Sequence, residues 1–414
     1  MTAGGQASLA GASWLRSGPL PRLLAALDRD GEEARVVGGA VRNALLGEPL
    51  GDIDIATTAL PEEVMRRVTR EGFKAVPTGV AHGTVTVVAD GRPFEVTTLR
   101  QDVETFGRHA KVAFGRDWKA DAERRDFTIN ALSASADGTV HDPVGGLADV
   151  RERRVRFIGD PARRIAEDYL RILRFFRFHA AYGRGPLDAA GLSACIAGRD
   201  GLDQLSRERV RMELLKLLIA PGAFPALTAM AECGLLVRLL AGVPNLVHFE
   251  RMIALEQALA LSSEAIRRLG ALAVVIVEDA ERLRERLRLA NAEYDRLTAM
   301  AEGWWRGPPP AGNRARELLY RAGVGNFTDQ ALLGWARSGA AADDPAWRAF
   351  ATLPQRWNVP VFPLRGADLM ARGVPKGPGL GAALAAAERA WIAAGFPLDS
   401  VAVAQIADQA ARPL

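Results

Sequence analysis

Residues 36–58 read VVGGAVRNALLGEPLGDIDIATT, and their order decides how the first part of the chain folds. Val36 and Val37 run straight into Gly38 and Gly39, an amphipathic stretch follows over residues 40–46, and Asp52-Ile53-Asp54 comes next. The spacing predicts strand, glycine turn, helix, strand. On a strand, residues i and i+2 point to the same side. Asp52 and Asp54 would then present two carboxylates together while Ile53 and Ile55 face the core. Two carboxylates so close repel unless a cation lies between them. Magnesium takes one or two carboxylates and fills its other positions with water and phosphate oxygens, so the pair fits a nucleotide-handling site better than a calcium cage. Gly38 and Gly39 clear side chains from a helix start whose N–H groups can approach a phosphate. Arg42, one turn on, can reach the same anion.

Working outward, residues 13–28 read as a short amphipathic helix and residues 61–71 as a helix with proline in its first turn and Gly72 after its end. Three strand signals follow at 73–77, 82–88 and 94–99, with Asp90-Gly91 as the hairpin turn between the last two. Glu95, Thr97 and Leu99 would share one strand face, which makes Glu95 a candidate third carboxylate, placed to bind a second metal ion or deprotonate a hydroxyl. An ordinary edge-strand glutamate is the plainer reading. From residue 100 to 124 periodicity collapses, and 107–112 reads as a mobile loop.

Residues 124–131, RRDFTINA, enter an apolar helix with donors for a triphosphate and an acceptor for ribose hydroxyls; Asp126 as a helix cap is the structural alternative. His141-Asp142-Pro143 reads as a turn, and the stretch ending near Asp160-Pro161 as a hinge. In residues 167–177, EDYLRILRFFR, Asp168 and Arg171 are three apart and fall on one helix face. A carboxylate accepts from the exocyclic amine that C and A share, and a guanidinium donates to ring nitrogen and carbonyl acceptors. Periodicity alone leaves an intrahelical ion pair as the simpler reading.

The chain has 414 residues, enough for more than one domain. Its 49% hydrophobic and 25% charged content is that of a globular protein without a membrane span. No signal peptide is apparent, and two cysteines, Cys195 and Cys233, make no disulfide framework, so the expected compartment is the cytoplasm. The net charge of +4 says little, but residues 151–184 hold ten arginines against four acids. Such an excess beside a candidate active site suits a phosphate-rich partner. Nothing calls for an obligate protein partner. The five histidines form no H-D pair or metal-ligand spacing, which argues against an attached phosphohydrolase domain. Beyond residue 221 the chain is helical, with breaks at Pro244, 303–312 and 354–363, and Trp304-Trp305 reads as packing. Residues 373–381, GVPKGPGLG, form a Gly-Pro loop before an alanine-rich helix, where Lys376 could help hold an anion.

Taken together, these motifs resemble the nucleotidyltransferase superfamily of DNA polymerase beta. Within it, the pattern G-G-x-V-R-D-x-L-L-G followed by D-x-D is that of bacterial-type (class II) tRNA nucleotidyltransferases and their poly(A) polymerase relatives; Asn43 stands where the family usually has Asp. The resemblance implies an α+β head with a polymerase beta-like mixed sheet over residues 1–150, a helical neck with the nucleotide-selecting motif over 151–222, and an all-α body and tail that bind tRNA over 223–414. It implies CCA addition to the tRNA 3′ end without a nucleic-acid template. Asp52 and Asp54 would bind two Mg²⁺ ions, and Glu95 would help activate the 3′-hydroxyl of the tRNA acceptor end. Gly38, Gly39, Arg42 and Arg125 would hold the triphosphate, and Asp126 and Asn130 would read the sugar. Asp168 and Arg171 would select CTP and ATP as an amino-acid template, with Glu167 holding the arginine. Arg174 and Arg177 would extend the basic face, Arg207 and Arg209 would support the template helix and contact RNA backbone, and Lys376 would lie in a tRNA-gripping loop. A flexible loop like 107–112 helps such enzymes change from adding C to adding A. A poly(A) polymerase, an enzyme adding only CC or A, and a catalytically dead tRNA-binding protein are the alternatives. The first is disfavoured because 82–85 passes without the basic, phenylalanine-containing signature of that group.

Overall fold

Val85, Val87, Ala89, Phe94 and Val96 are buried while the residues between them are more open, and this alternation builds one half of a seven-stranded mixed sheet. The computed structural model describes residues 7–106, 109–302 and 307–412. Its strands are β1 (Ala34–Val37), β2 (Asp54–Thr57), β3 (Lys74–Gly79), β4 (Thr84–Ala89), β5 (Arg92–Thr98), β6 (Arg100–Phe106), β7 (His109–Phe114), β8 (Ser133–Ala134) and β9 (Val140–His141). The main sheet has the order β3-β4-β5-β2-β1-β8-β9. Only β2 and β5 run parallel; the other neighbours are antiparallel. Asp90 and Gly91 both have positive φ, as the two-residue turn between β4 and β5 requires.

Helices in the first part are α1 (Ser13–Arg16), α2 (Leu20–Leu27), α3 (Gly39–Leu46), α4 (Pro61–Arg70), α5 (Trp118–Glu123), α6 (Gly146–Glu152), α7 (Pro161–Glu167), α8 (Leu170–Tyr182), α9 (Ala189–Ala197), α10 (Arg207–Leu218) and α11 (Ala223–Glu232). The single helix expected over 13–28 is two, because Gly18 turns left-handed and Pro19 follows it. Register places Val36, Ile55, Val96 and Val85 in one fully buried row across β1, β2, β5 and β4. Val64 and Val68 of α4, which packs on β4 and β5, are buried too. The next row, Val37, Asp54, Glu95 and Thr86, points to the opposite face. One face of the sheet is therefore core, and the other is left for chemistry.

Residues 100–124 differ from the expected loop. They form the β6–β7 hairpin and then α5. A two-stranded ribbon outside the larger sheet needs no continuous apolar face, so its period-two signal is weak. Gly107, Arg108 and the tryptophans Trp304 and Trp305 lie outside the described residues.

By its contacts the chain divides into Met1–Leu239 and Leu240–Leu414. The expected head–neck boundary near residue 150 falls inside the first unit, for a physical reason. The Phe127 ring lies 4.9 Å from Phe157 and 5.2 Å from Phe178, and Phe157 stacks 5.4 Å from Phe175, so the 124–131 segment, the hinge and α8 share one aromatic core. The second unit is helical, with a buried charge cluster in which Arg267 binds Glu256 and Asp329 and Arg268 binds Glu256. A separate apolar cluster there centres on Trp391, Leu369 and Ala387.

A buried carboxylate fastens the hinge. Asp149 of α6 is fully buried and accepts from Thr128 Oγ1 (2.5 Å), Arg154 Nε (2.9 Å) and Arg156 Nε (2.7 Å). Burial would raise its carboxyl pKa, but these three donors hold it below the ordinary range. Because the folded value is depressed, the stabilisation is present at neutral pH and is lost as pH falls through that value. Asp149→Ala is expected to lower unfolding free energy by about 2 kcal/mol in denaturant titrations at pH 7.5, the order that loss of hydrogen bonds to a charged group implies. The difference from wild type should shrink in strong acid.

Candidate active site

A cleft of ≈ 610 Å³ opens on the free face of the sheet, lined by Gly38 and Gly39, Asp54, Glu95, residues of the 121–130 segment, and Asp168, Arg171 and Arg174 from the start of the neck. Parallel pairing of β2 with β5 sets Asp54 directly beside Glu95. Asp54 is half-buried, and its carboxyl is pushed up first by burial, then by Glu95 and Asp52, with Arg125 pulling the other way. Glu95 is exposed at the cleft. Asp52 differs from expectation: β2 begins at Asp54, so Asp52 lies in the irregular stretch ahead of the strand, is exposed, and does not line the cleft. The i, i+2 rule therefore does not govern it, although its charge is still felt at Asp54. Among the described residues no group of three or more acids, histidines or cysteines is close enough to hold a metal ion by itself. Two adjacent carboxylates that disfavour each other nevertheless suit a magnesium ion that completes its shell with phosphate oxygens and water.

Gly38 has φ +67°, and a Cβ there would meet Arg125 Nη1 at 3.1 Å. Glycine lets that guanidinium sit against the turn, where Arg125 Nη1 donates to the Asn130 carbonyl (3.2 Å) and Nη2 pairs with Asp121 (3.2 Å). The RRDFTINA segment does not enter a helix as expected; residues Thr128–Asn130 form a single 3₁₀ turn. Asp126 caps no helix. Its Oδ1 accepts from its neighbour Phe127 N (2.8 Å) and Asn130 Nδ2 (3.0 Å), and Oδ2 pairs with Arg174 (2.6 Å). Burial would raise this carboxyl, but Arg174 and those two donors hold it low. Asp142 is a turn residue that accepts from Gly146 N (2.7 Å) and Leu147 N (2.9 Å), starting α6.

Asp168 and Arg171 do not share a helix face. Asp168 is extended in the break between α7 and α8, accepts from Leu170 N (3.1 Å), and pairs with Arg209 of α10 (2.6 Å). Arg171 is held by Glu167 Oε2 (2.5 Å) and the Arg164 carbonyl (2.7 Å). No intrahelical Asp168–Arg171 pair forms in its place, yet both side chains line the cleft, each fixed by a different partner. Arg174 also pairs with Glu213 (3.4 Å), and Arg177 with Glu213. Arg207 is exposed away from the cleft. In the second unit, Lys376 is exposed just before helix Pro378–Ala393. Sequence reasoning missed Asp121 and Glu213, which clamp site arginines, and Phe178, which lines the cleft. Asp121 could have been found by its i, i+4 spacing to Arg125; Glu213 is brought in only by tertiary packing.

Residues 34–156 match the family described as the poly A polymerase head domain, and residues 190–247 match the probable RNA and SrmB- binding site of polymerase A. The chain is 34% identical to CCA tRNA nucleotidyltransferase 1, mitochondrial, of Danio rerio, across 87% of this chain and 83% of that one. The chain belongs to the CCA-adding tRNA nucleotidyltransferases. It is likewise 34% identical to the CCA-adding enzyme of Limosilactobacillus fermentum, across 88% of this chain and 90% of the relative. The crystal structure of the Bacillus stearothermophilus CCA-adding enzyme in complex with CTP superposes with a TM-score of 0.68 at 31% identity, covering 90% and 92% of the two chains. Family membership makes the chain an enzyme of this class, a nucleotidyltransferase of tRNA processing.

The electrostatics of Asp54 set up a function–stability conflict. A carboxyl whose folded pKa is raised stabilises the fold fully only below its unfolded pKa and loses that contribution as pH rises through the folded value. Asp54→Asn is therefore expected to raise the melting temperature of the metal-free protein at pH 8, with the gain vanishing near pH 4. Calorimetry over that range checks it; an equal or lower melting temperature at pH 8 would contradict it.

Proposed function

We propose that this protein adds CCA to the 3′ end of tRNA, without a nucleic-acid template, from CTP and ATP. The observation that carries the proposal is the convergence, in one cleft, of the Asp54–Glu95 pair, the glycine turn with Arg125, and the separately held Asp168 and Arg171, on a chain related over nearly nine-tenths of its length to CCA-adding enzymes. Asp54, with Asp52 near it, would hold Mg²⁺, two ions in the full site, and Glu95 would share them or take the proton of the RNA 3′-hydroxyl. When bound, such ions polarise the α-phosphate and stabilise charge on the attacking and leaving oxygens. Arg125 and the N–H groups after Gly38 would orient the triphosphate so that pyrophosphate leaves in line. Asp126 and Asn130 would receive the ribose hydroxyls.

At the base, Asp168 would accept from the exocyclic amine of C or A and Arg171 would donate to the ring acceptors. Glu167 is suited to hold Arg171 in that pose. Its carboxyl is held low because Arg171 and Arg164 outweigh the burial that would raise it. U and G present the wrong pattern to this pair. Arg177, Arg207, Arg209 and, in the second unit, Lys376 are proposed to meet tRNA backbone or support the selecting helix. Free thiols at Cys195 and Cys233 suit a reducing compartment such as the cytoplasm.

The test is incubation with Mg²⁺ and tRNA lacking its last three nucleotides, resolved at single-nucleotide length. Two additions with CTP alone and three with CTP plus ATP are expected. A long ladder with ATP alone would make the protein a poly(A) polymerase, and a stop at two with both nucleotides a CC-adding enzyme. Asp54→Ala should cut incorporation by about 10²–10³-fold, the order that loss of one preorganised transition-state stabiliser costs; incorporation that survives it would sink the metal assignment.

A further inference from the structure

Arg42, which the sequence suggested for phosphate binding, is otherwise engaged. It is 5% exposed. Nε and Nη2 both donate to Asn43 Oδ1 (3.1 and 2.8 Å), Nη2 also donates to the Tyr182 hydroxyl (2.8 Å), and Nη1 donates to Asn130 Oδ1. Four of the five guanidinium N–H groups are thereby committed, and every partner is neutral. The guanidinium also lies 3.9 Å from the centre of the Tyr182 ring, a cation–π contact. Asn43 is itself anchored, donating to the Pro49 carbonyl (2.7 Å).

The consequence falls on Asn130. Arg42 can only donate and the ionised Asp126 can only accept, so the Asn130 amide is forced to turn Oδ1 to Arg42 and Nδ2 to Asp126 (3.0 Å). In that orientation one Nδ2 hydrogen remains to donate, next to a carboxylate that accepts. A ribose 2′-hydroxyl can accept that hydrogen, whereas a deoxyribose leaves it unpaired. Tyr182 lies on α8, the helix that also carries Arg174, the partner of Asp126. The two ends of the sugar-facing pair are thus fastened to one helix, four residues to either side of Phe178, and Arg174, Arg177 and Arg42 all lie within 5.2 Å of that ring's centre.

We propose that Tyr182 is a positioning residue for ribose selection: its hydroxyl and ring hold Arg42, which locks the Asn130 amide in the orientation that recognises a 2′-hydroxyl. The inference rests on the reading that Asp126 and Asn130 receive the sugar. It predicts a role for Arg42 in orienting the amide and not in gripping phosphate.

The experiment compares kcat/KM for CTP and dCTP on tRNA lacking its last three nucleotides, using wild type, Asn130→Ala, Tyr182→Phe and Tyr182→Leu, with melting temperatures alongside. Tyr182→Phe keeps the ring and removes one acceptor, and should lower the CTP-to-dCTP ratio about fivefold to tenfold, as the loss of one hydrogen bond implies, chiefly through the KM for CTP. Tyr182→Leu should lower it further. If both Tyr182 variants slow CTP and dCTP equally, the residue is merely structural and the proposal is overturned. If Asn130→Ala itself leaves the ratio unchanged, the sugar-reading assignment fails instead, and the two failures are told apart.

Discussion

The ion pair between Asp126 and Arg174, at 2.6 Å and nearly closed to solvent on the aspartate side, is the contact on which the cleft's shape depends. It joins the turn after α5 to helix α8, whose first turn, one turn earlier, carries Arg171. Removing two charges from water costs about as much as their attraction returns, so such a pair adds little net stability. It fixes which arrangement is populated. Arg174 and Arg177 both reach Glu213 of α10, and Asp168 reaches Arg209 of the same helix. α8 is thus held from two sides by charge pairs and from below by the Phe127–Phe157–Phe175 stack. Asp168 and Arg171, proposed to read the base, are oriented by Arg209 and Glu167 from outside the cleft lining, and Asp126 and Asn130, proposed to read the sugar, by Arg174 and Arg42 within it, which is how a site keeps its geometry before substrate arrives.

Most site arginines are already neutralised: Arg125 by Asp121, Arg171 by Glu167, Arg174 by Asp126 and Glu213. Asp54 is in the opposite condition, its carboxylate disfavoured by burial and by neighbouring acids. The positive side of the cleft is relaxed without ligand, and the negative side is not. A site built this way gains most from a dication arriving with a triphosphate, since the ion relieves the repulsion that the fold has accumulated.

Much of this was legible in the sequence. The GG turn, the strand at Asp54, the β4–β5 hairpin with its Asp90-Gly91 turn and the helical character of the chain beyond residue 221 follow from local pattern, because those elements have a buried face that imposes a period. The sequence was misleading where tertiary structure decides. The β6–β7 ribbon belongs to no larger sheet, so it left no period; Asp52 fell outside its strand, since a two-residue spacing does not mark where a strand begins; and Asp168 left its helix because the chain breaks between α7 and α8, which the continuous apolar spacing of 167–177 concealed. Glu213 and Tyr182 were silent for another reason: their roles depend on which helix lies beside which, and no local pattern encodes that.

Base choice, as proposed, falls to Asp168 in the break before α8 and Arg171 in its first turn. Its most direct test is a competition in which wild type and Asp168→Ala extend tRNA lacking its last three nucleotides in equimolar CTP, ATP, UTP and GTP, the first added residue is sequenced, and tRNA affinity is measured in parallel. The account predicts C alone from wild type, a mixture that includes U from Asp168→Ala, and unchanged tRNA affinity. A variant that adds only C, more slowly or with weakened tRNA binding, would contradict it.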